Sequence, residues 1–286
     1  MQKVQTGQVI EFYSNSCLVV TPHGEISCVS IKDTVVGDYV ELEIIQDTMK
    51  PLGKIIKVKN RKSELSKIVK NKRKLFASNI SHLGIIVSPE PKTSYEFIDK
   101  WILKSHHSGI DAFIINNKTD LNCNHEYKKK LEVYKELNYK IINISAKKNI
   151  NVNALKEFLK KKCVLFVGNS GAGKSTISSK LLNKNLKTNP LSNNQGMHTT
   201  SISSLYILDN IKIIDSPGMR DIEITDFSRN QIVDGFKEIS NLSKHCKYSD
   251  CNHVDNRGCQ IIKGVRNGQI NENRYNNFMK FIAGNY

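Results

Sequence analysis

The chain has 286 residues, of which 39% are apolar, and it carries a formal net charge of +16. This length and composition predict two or three packed domains and exclude a disordered protein. No apolar run reaches the roughly eighteen residues of a membrane span, and the opening MQKVQTGQVIEF lacks the hydrophobic centre of a signal peptide, so we expect a cytoplasmic protein without a membrane partner.

The N-terminal region, residues 1–72, is predicted to form a small antiparallel barrel. Short runs with alternating apolar residues are separated by turn sequences such as HG and GD. About five such strands are typical of an OB-fold, with an SH3-like or other small barrel as the alternative. Between residues 54 and 74, ten Lys or Arg residues accompany a single acid, Glu64. We interpret this segment as the last strand and a basic linker, whose charge favours a polyanionic partner such as RNA.

Residues 73–225 have the pattern of an α/β domain. Short apolar runs end in polar or glycine-rich turns, which is typical of buried parallel strands. These runs are HLGIIVS, AFIINN, YKIINIS, VLFVGN and IKIIDSPG. Amphipathic helices are predicted between them, for example over Tyr95–Lys104 and Lys128–Leu137.

The sequence GNSGAGKST, directly after the apolar run VLFV, matches the phosphate loop G-x-x-x-x-G-K-[ST]. Its glycines let backbone N–H groups approach the phosphates, and the helix that follows adds its N-terminal dipole. Lys174 is predicted to reach the β- and γ-phosphates, and Ser175 to bind Mg²⁺. Downstream, the element DSPG provides Asp215 for Mg²⁺ and Gly218 for the γ-phosphate. The predicted loop residues are Gly168, Asn169, Ser170, Gly171, Ala172, Gly173, Lys174, Ser175 and Thr176.

The tetrad NKTD at the end of the second apolar run predicts that the base is guanine. Asp120 can accept hydrogen bonds from two guanine donors that adenine lacks, Asn117 can bind the other edge of the base, and Lys118 can lie across its face. A second loop, SAK, follows the next run and is predicted to offer a backbone N–H to the base carbonyl. Its residues are Ser145, Ala146 and Lys147.

Both guanine motifs precede the phosphate loop, although GTPases usually have the reverse order. Gly168 lies about fifty residues after the tetrad NKTD. Parallel sheet cores tolerate such a rotation, because their chain ends lie at the surface. We therefore predict a circularly permuted P-loop GTPase domain.

Residues 183–200 are polar and weakly patterned, and we predict a loop that becomes ordered when nucleotide binds. Thr200 is expected to complete the Mg²⁺ shell. Met219 stands where GTPases commonly carry a glutamine that orients water, and Met cannot do this. His198 is the nearest polar substitute and our candidate catalytic residue, with an exposed loop histidine as the alternative. We therefore expect slow intrinsic turnover that a partner accelerates, an effect worth about 10³–10⁵ in rate.

Residues 226–286 are predicted to form a small helical domain. One helix is predicted within FSRNQIVDGFKEISNLSKHC and another within NENRYNNFMKFI. Between them, the pattern C-x₄-C-x-H-x₅-C offers three thiolates and one imidazole, which suit a closed structural Zn²⁺ site. The predicted ligands are Cys246, Cys251, His253 and Cys259, with His245 as a competing candidate.

The barrel, the motif order NKTD, SAK, GNSGAGKST, DSPG and the cysteine pattern closely resemble the ribosome small-subunit-dependent GTPase A family (RsgA/YjeQ). The resemblance covers nearly the whole chain. It implies a monomeric factor that binds GTP and GDP, contacts the small ribosomal subunit and its rRNA late in assembly, and leaves on GTP hydrolysis. GMHTTS resembles the family's G-x-x-x-R-H-T-T-T segment, with Met197 where Arg is usual and Ser201 where a third Thr is. His198 matches the residue proposed for catalysis in that family.

Two other function classes remain at this stage. One is an RNA-binding module that uses nucleotide only as a structural ligand, and the other is a P-loop ATPase or kinase. Stimulation of GTP hydrolysis by small subunits separates the GTPase from the first. Equal competition by ATP identifies the second.

Overall fold

The computed structural model describes residues 4–46, 52–69, 72–182, 203–208, 210–215, 222–254 and 256–284. The N-terminal strands close into a five-stranded barrel in the order β1-β2-β3-β5-β4, with β4 paired back onto β1. The strands are β1 (Val4–Phe12), β2 (Ser16–Thr21), β3 (Gly24–Val29), β4 (Tyr39–Gln46) and β5 (Leu52–Val58). Alternate apolar side chains, among them Val19, Leu42 and Ile55, fill the barrel. This closed arrangement confirms the OB-like fold.

The basic segment begins in the last barrel strand, β5, as predicted, and continues as a hairpin where a linker was expected. β6 (Glu64–Val69) and β7 (Lys72–Ser78) pair antiparallel. Buried polar contacts hold this segment against the barrel, because Arg61 Nε and Ser78 Oγ both donate to Asp38 Oδ1, at 2.7 and 2.6 Å. Arg61, one of the positive residues that we expected to favour a polyanionic partner, is therefore paired within the chain.

The α/β region is a sheet with helices on both faces. Its strands are β8 (His82–Val87), β9 (Asp111–Asn116), β10 (Ile141–Asn143), β11 (Cys163–Gly168), β12 (Ser204–Leu208) and β13 (Ile211–Asp215). The order is β10-β9-β8-β11-β13-β12. The five predicted strands are parallel, as expected. β12 was not predicted; it is antiparallel to β13 and meets β1 at Glu11 and Ser204, which joins this sheet to the barrel.

Two layers of helices bury the sheet. α1 (Tyr95–His107) and α2 (His125–Glu136) cover one face, where Trp101 and Tyr134 are buried. α3 (Val152–Leu159) and α4 (Lys174–Leu182) cover the other face through residues such as Leu155. Because β8, β9, β10, β11 and β13 are parallel, their carboxyl ends meet at one edge of the sheet. That edge is where the predicted nucleotide motifs lie.

The C-terminal helical region, residues 222–284, packs against α1. Its helices are α5 (Arg229–Gly235), α6 (Lys237–Ser243), α7 (Gln260–Arg266) and α8 (Glu272–Ile282). The first predicted helix is thus two helices, because Phe236 has non-helical φ −102° and ψ 89°. Gly235 contacts α1 so closely that an added Cβ would lie 2.2 Å from Leu103 Cδ1. α7 was not predicted.

No helix in the described ranges combines the length and the apolar character that crossing a membrane requires.

Candidate functional site

The phosphate loop turns from β11 into α4. β11 ends at Gly168 and α4 begins at Lys174. Gly171 and Gly173 have φ of +77° and +102°, a left-handed conformation that favours glycine. Lys174 Nζ donates to the backbone carbonyls of Gly168 and Asn169. The loop therefore has the backbone shape that a phosphate cradle requires.

Within this loop, Ala172 is buried. Asn169 directly follows β11, and Thr176 lies in the first turn of α4. The side chains of Ser170, Ser175 and Thr176 are exposed at the mouth of the loop. The first turn of α4 therefore offers the exposed residues Ser175 and Thr176, each of which carries a hydroxyl group.

Asn117 joins the three predicted nucleotide loops. Its Nδ2 donates to the backbone oxygen of Ala172 in the phosphate loop at 2.9 Å, and its Oδ1 accepts from the backbone N–H of Ala146 at 3.1 Å. The side chain is only 2% exposed. An added Cβ at Gly173 would lie 2.3 Å from Asn117 Nδ2, so the small residue at 173 makes this bridge possible. The guanine motifs and the phosphate loop are thus neighbours in space.

The other residues predicted to recognise the base lie on the same loops. Asp120 is exposed, and a hydrogen bond with Ser145 lowers the pKa of its carboxyl, which keeps it anionic. Ser145 is fully buried, and its hydroxyl accepts from the N–H of Lys148 at 3.1 Å. Lys147 is exposed on the same loop. An ionised acceptor beside an ordered loop is what selection of the guanine edge requires.

The loop between β8 and α1, which was not predicted to take part, lies beside these loops. Lys118 Nζ donates to the backbone oxygen of Glu90 at 2.6 Å, and Pro91 lies 3.6 Å from the position of an added Cβ on Gly171. The loop between β8 and α1 therefore touches both the tetrad NKTD and the phosphate loop. The only sequence signal was its place after a parallel strand, at the edge where the other loops meet.

Asp215 ends β13, which is the parallel neighbour of the phosphate-loop strand β11. Burial raises the pKa of Asp215, and the Lys174 ammonium partly offsets this effect. The charge of Lys174 thus acts on the carboxylate of Asp215. The predicted residues Gly218, Thr200 and His198 lie outside the described residues.

The predicted metal ligands converge between α6 and α7. Cys246 Sγ lies 3.8 Å from His253 Nδ1 and 3.9 Å from Cys259 Sγ, and Cys259 Sγ lies 3.7 Å from His253 Nδ1. Cys251 completes the group, whose ligand atoms all lie within 4.8 Å of one another. His245, the competing candidate, is exposed and is not part of it. Burial lowers the pKa of His253, which favours the neutral imidazole that a metal needs.

A buried ion cluster, which the sequence analysis also missed, joins the α/β region to the C-terminal helical region. Arg274 of α8 donates to Asp99 of α1 at 2.6 Å and to both carboxylate oxygens of Glu238 of α6, at 2.7 and 2.9 Å. Although burial acts to lower the pKa of Arg274, the two carboxylates raise it well above its ordinary value. The sequence did contain a signal for its burial. Arg274 lies four residues before Phe278 and seven before Phe281, so all three share one face of the helix.

Comparison with known proteins agrees with this geometry. Residues 58–225 match the family model described as RsgA GTPase. A protein of Mannheimia succiniciproducens named "Small ribosomal subunit biogenesis GTPase RsgA" is 31% identical over 98% of this chain and 83% of its own length. A protein of the same name from Flavobacterium johnsoniae is 32% identical over 91% of this chain and 85% of its own.

Solved structures extend the comparison to the fold. YjeQ from Thermotoga maritima superposes with a TM-score of 0.77 and 28% identity, over 99% of each chain. YloQ, described as a circularly permuted GTPase, has the same fold, with a TM-score of 0.74, 20% identity and coverage of 99% of this chain and 95% of its own. The chain therefore belongs to the RsgA GTPase family and is a GTP hydrolase with a circularly permuted core.

Proposed function

We propose that this GTPase acts in the cytoplasm on the small ribosomal subunit, assists its late maturation and leaves when GTP is hydrolysed. The observation that carries the proposal is the length of the match. Relatives named for small-subunit biogenesis align over 98% of the chain, which includes the barrel and the C-terminal helical region as well as the GTPase core. A likeness limited to the core would have supported GTP hydrolysis alone.

In this proposal, the described loops bind the nucleotide. Asp120 accepts from guanine, Lys118 covers its face, and the N–H of Ala146, held by Asn117, meets the base carbonyl. Lys174 and the N–H groups of the phosphate loop hold the phosphates. The other residues that we assign to the nucleotide site are Ser145, Lys147, Asn169, Ser170, Thr176 and Gly218.

A magnesium ion would be held by Ser175, Asp215 and Thr200 together with the phosphates. The adjacency of β11 and β13 supports this assignment, since it brings the first turn of α4 and the carboxylate of Asp215 to one edge of the sheet. Oxygen ligands of this kind suit Mg²⁺. The ion would neutralise the charge that develops on the phosphates during hydrolysis.

Zinc is the metal that we assign to the three thiols and one imidazole. Tetrahedral Zn²⁺, with bonds of about 2.3 Å to sulfur and about 2.0 Å to nitrogen, separates its ligand atoms by roughly 3.5–3.8 Å. The distances of 3.7–3.9 Å fit this geometry. Four protein ligands leave no open position, so the ion is structural.

Metal analysis tests the zinc assignment. The purified chain should hold one zinc ion, and chelation should lower its melting temperature, because binding of a structural metal contributes to folding. His245→Ala should retain the zinc, whereas Cys251→Ser should lose it. Loss of zinc from His245→Ala with retention in Cys251→Ser would refute the ligand set.

Contact with rRNA is proposed for the basic surface of the barrel and hairpin. Lys54 and Lys57 of β5 and Lys72, Arg73 and Lys74 of β7 are exposed. Positive side chains in this number release counterions from an RNA backbone, so binding should weaken steeply with salt. Co-sedimentation with small subunits should be strong with a non-hydrolysable GTP analogue and weak with GDP.

We propose that the factor acts as a monomer. Light scattering before subunits are added checks this oligomeric state.

Single-turnover GTP hydrolysis with and without small subunits is the decisive test. We assign catalysis to His198 and expect the subunit to accelerate hydrolysis by about 10³–10⁵, as a group supplied in trans does. His198→Ala should abolish the acceleration and keep GTP binding, and Lys174→Ala should prevent productive phosphate binding. Absence of any acceleration would favour the RNA-binding module with a structural nucleotide. Equal competition by ATP would favour a P-loop ATPase or kinase.

A further inference from the structure

Two neighbouring histidines and an aspartate converge where α1 meets α5, away from both the nucleotide loops and the cysteine cluster. His106 and His107 are the last two residues of α1, and Asp234 lies in α5. His106 Nε2 lies 2.9 Å from Asp234 Oδ2. One ligand atom from each of the three side chains falls within 4.8 Å of the other two. In the part of the chain that the structure describes, this is the second group with such a set of metal-ligating atoms.

The packing of α5 on α1 creates this convergence. Gly235 touches Leu103 one turn before the histidines, so the preceding residue, Asp234, faces the end of α1. The imidazoles of His106 and His107 meet edge to face, with centroids 4.9 Å apart. The ring of His107 also contacts Phe227, with centroids 5.1 Å apart and the ring planes tilted by 36°. Both rings are thus held towards α5 by their neighbours.

The electrostatic surroundings suit a cation. Asp234 contributes a carboxylate, whose Oδ2 lies 2.9 Å from His106 Nε2. The ammonium of Lys104, one turn earlier in α1, is paired with Asp226 at 3.0 Å, which reduces its repulsion of a bound cation. His107 Nε2 donates to the backbone carbonyl of Gln231 at 2.8 Å, a hydrogen bond that an ion bound at this nitrogen would replace.

We propose that His106, His107 and Asp234 form a second metal site that binds a divalent transition-metal ion of the Zn²⁺, Ni²⁺ or Co²⁺ class. Two imidazoles and one carboxylate are a nitrogen-rich donor set, which such ions prefer, whereas Mg²⁺ and Ca²⁺ prefer oxygen ligands. The site differs from the cysteine cluster because it is exposed and leaves coordination positions for water. The ion that we propose here has no part in the proposed function.

An ion here would connect the GTPase core to the C-terminal helical region. α1 belongs to the α/β sheet, and α5 is the first helix of the C-terminal helical region. A metal that binds only the arrangement in which both helices are in contact stabilises that arrangement in proportion to its occupancy. The inferred role is therefore to make the contact between α1 and α5 depend on metal.

The chain provides a matched control. His82 and Asp111 form another surface His–carboxylate pair, with His82 Nε2 4.0 Å from Asp111 Oδ2. This pair is not part of any metal-ligating group within the described ranges. It has one imidazole where the proposed site has two, so it should not bind a transition metal at the same concentration.

The test uses full-length, untagged protein as purified, with Ni²⁺ as the probe. Calorimetry should detect one binding site for Ni²⁺, and metal analysis should show that the cysteine cluster keeps its own metal. His106→Ala, His107→Ala and Asp234→Asn should each weaken Ni²⁺ binding at least about 10-fold, since loss of even an outer-sphere partner can cost that much. His82→Ala should bind Ni²⁺ like the wild type.

A second measurement reads the structural consequence. Ni²⁺ should slow amide hydrogen exchange at the end of α1 and in α5 of the wild type, and this protection should disappear in Asp234→Asn. Circular dichroism melting of the metal-free variants checks that each one folds. Absence of Ni²⁺ binding, or binding that survives all three substitutions, would overturn the proposal. GTP hydrolysis with small subunits is not a readout here, so failure of this site and failure of the proposed function are separable.

Discussion

Asn117 and Arg274 each use one buried side chain to join three separate parts of the chain. Asn117, 2% exposed, links the guanine tetrad to the phosphate loop and to the SAK loop. Arg274, 1% exposed, links α8 to α1 and α6. The first bridge consists of neutral hydrogen bonds, and the second consists of buried charges.

This difference separates two kinds of connection. An amide carries a donor and an acceptor, so Asn117 satisfies a carbonyl and an N–H without burying a charge, and each such bond contributes about 0.5–1.5 kcal/mol. Buried charges are costly to desolvate and also costly to leave unpaired, so removal of one partner destabilises by about 3–5 kcal/mol. The nucleotide loops are therefore joined by individually weak hydrogen bonds. The α/β region and the C-terminal helical region are joined by a cluster that is strongly destabilised when one charge is removed.

The largest expected effect concerns selection of the guanine base. This selection is predicted to depend on Asp120, which belongs to neither bridge. Asp120→Asn should move the base preference from guanine towards xanthine, because the amide can donate to the additional xanthine carbonyl. The ratio of GDP to XDP affinity should change by about 10⁴-fold. Asp120 is exposed, so its replacement should leave the melting temperature unchanged.

Competition between labelled GDP and XDP measures this ratio. Asp250→Asn, at an exposed position near the cysteine cluster, is the matched control and should keep the guanine preference. An unchanged preference in Asp120→Asn would remove the carboxylate from base recognition.

Arg274→Ala is the strongest test of the charged bridge. It leaves Asp99 and Glu238 without their shared partner, so the free energy of unfolding should fall by about 3–5 kcal/mol in urea denaturation. Arg266→Ala, at an exposed position on α7, should change it by about 0.5 kcal/mol or less. GDP affinity of the folded protein should not change, because Arg274 touches none of the nucleotide loops. Equal effects of the two substitutions would show that the cluster does not hold the regions together.

The two bridges also mark what the sequence could and could not predict. Asn117 was identified as a base-binding candidate because it lies in a local motif at a strand end, and parallel topology brings such ends to one edge. Its bridge between the three loops was not predicted. Arg274 was missed because a periodicity argument treats arginine as polar and places it on the solvent-facing side of the helix predicted within NENRYNNFMKFI. The structure buries Arg274 with Phe278 and Phe281.

The burial of Arg274 depends on a carboxylate 175 positions away in the chain, which no local pattern contains. β12 was missed for the same reason. It is a short strand with an exposed Ile207, and one of its partners is β1 at the other end of the sequence. Local motifs thus predicted the nucleotide loops and the cysteine cluster, whereas the contacts between regions required the fold.

Asn117→Ala tests the neutral bridge. It removes two hydrogen bonds and leaves the Ala172 carbonyl and the Ala146 N–H unpaired, so the free energy of unfolding should fall by about 1–3 kcal/mol. In contrast to Arg274→Ala, this change should also weaken GDP binding, because the loops lose their mutual orientation. Asn117→Asp, which keeps only the acceptor towards Ala146, should also weaken GDP binding, and Asn153→Ala on the exposed face of α3 should have no effect. Normal GDP affinity in Asn117→Ala would contradict the bridging role.

The smallest expected effect is that of Tyr134→Phe, which measures how the charged bridge is distributed. Tyr134 is buried in α2, and its hydroxyl donates to Asp99 Oδ1 at 2.7 Å, the oxygen that also accepts from Arg274. Because Arg274 and Asn277 still donate to Asp99, the loss should be about 1.5 kcal/mol, at the low end for a hydrogen bond to a charged group.

A double-mutant cycle with Arg274→Ala completes this test. If the hydroxyl and the guanidinium share one carboxylate oxygen, their effects on the free energy of unfolding should not be additive, and the coupling energy should exceed about 0.5 kcal/mol. Additive effects would mean that Tyr134 acts only through packing against Tyr95 and Tyr139. In that case α2 would not belong to the bridge, and the charged cluster would extend only over α1, α6 and α8.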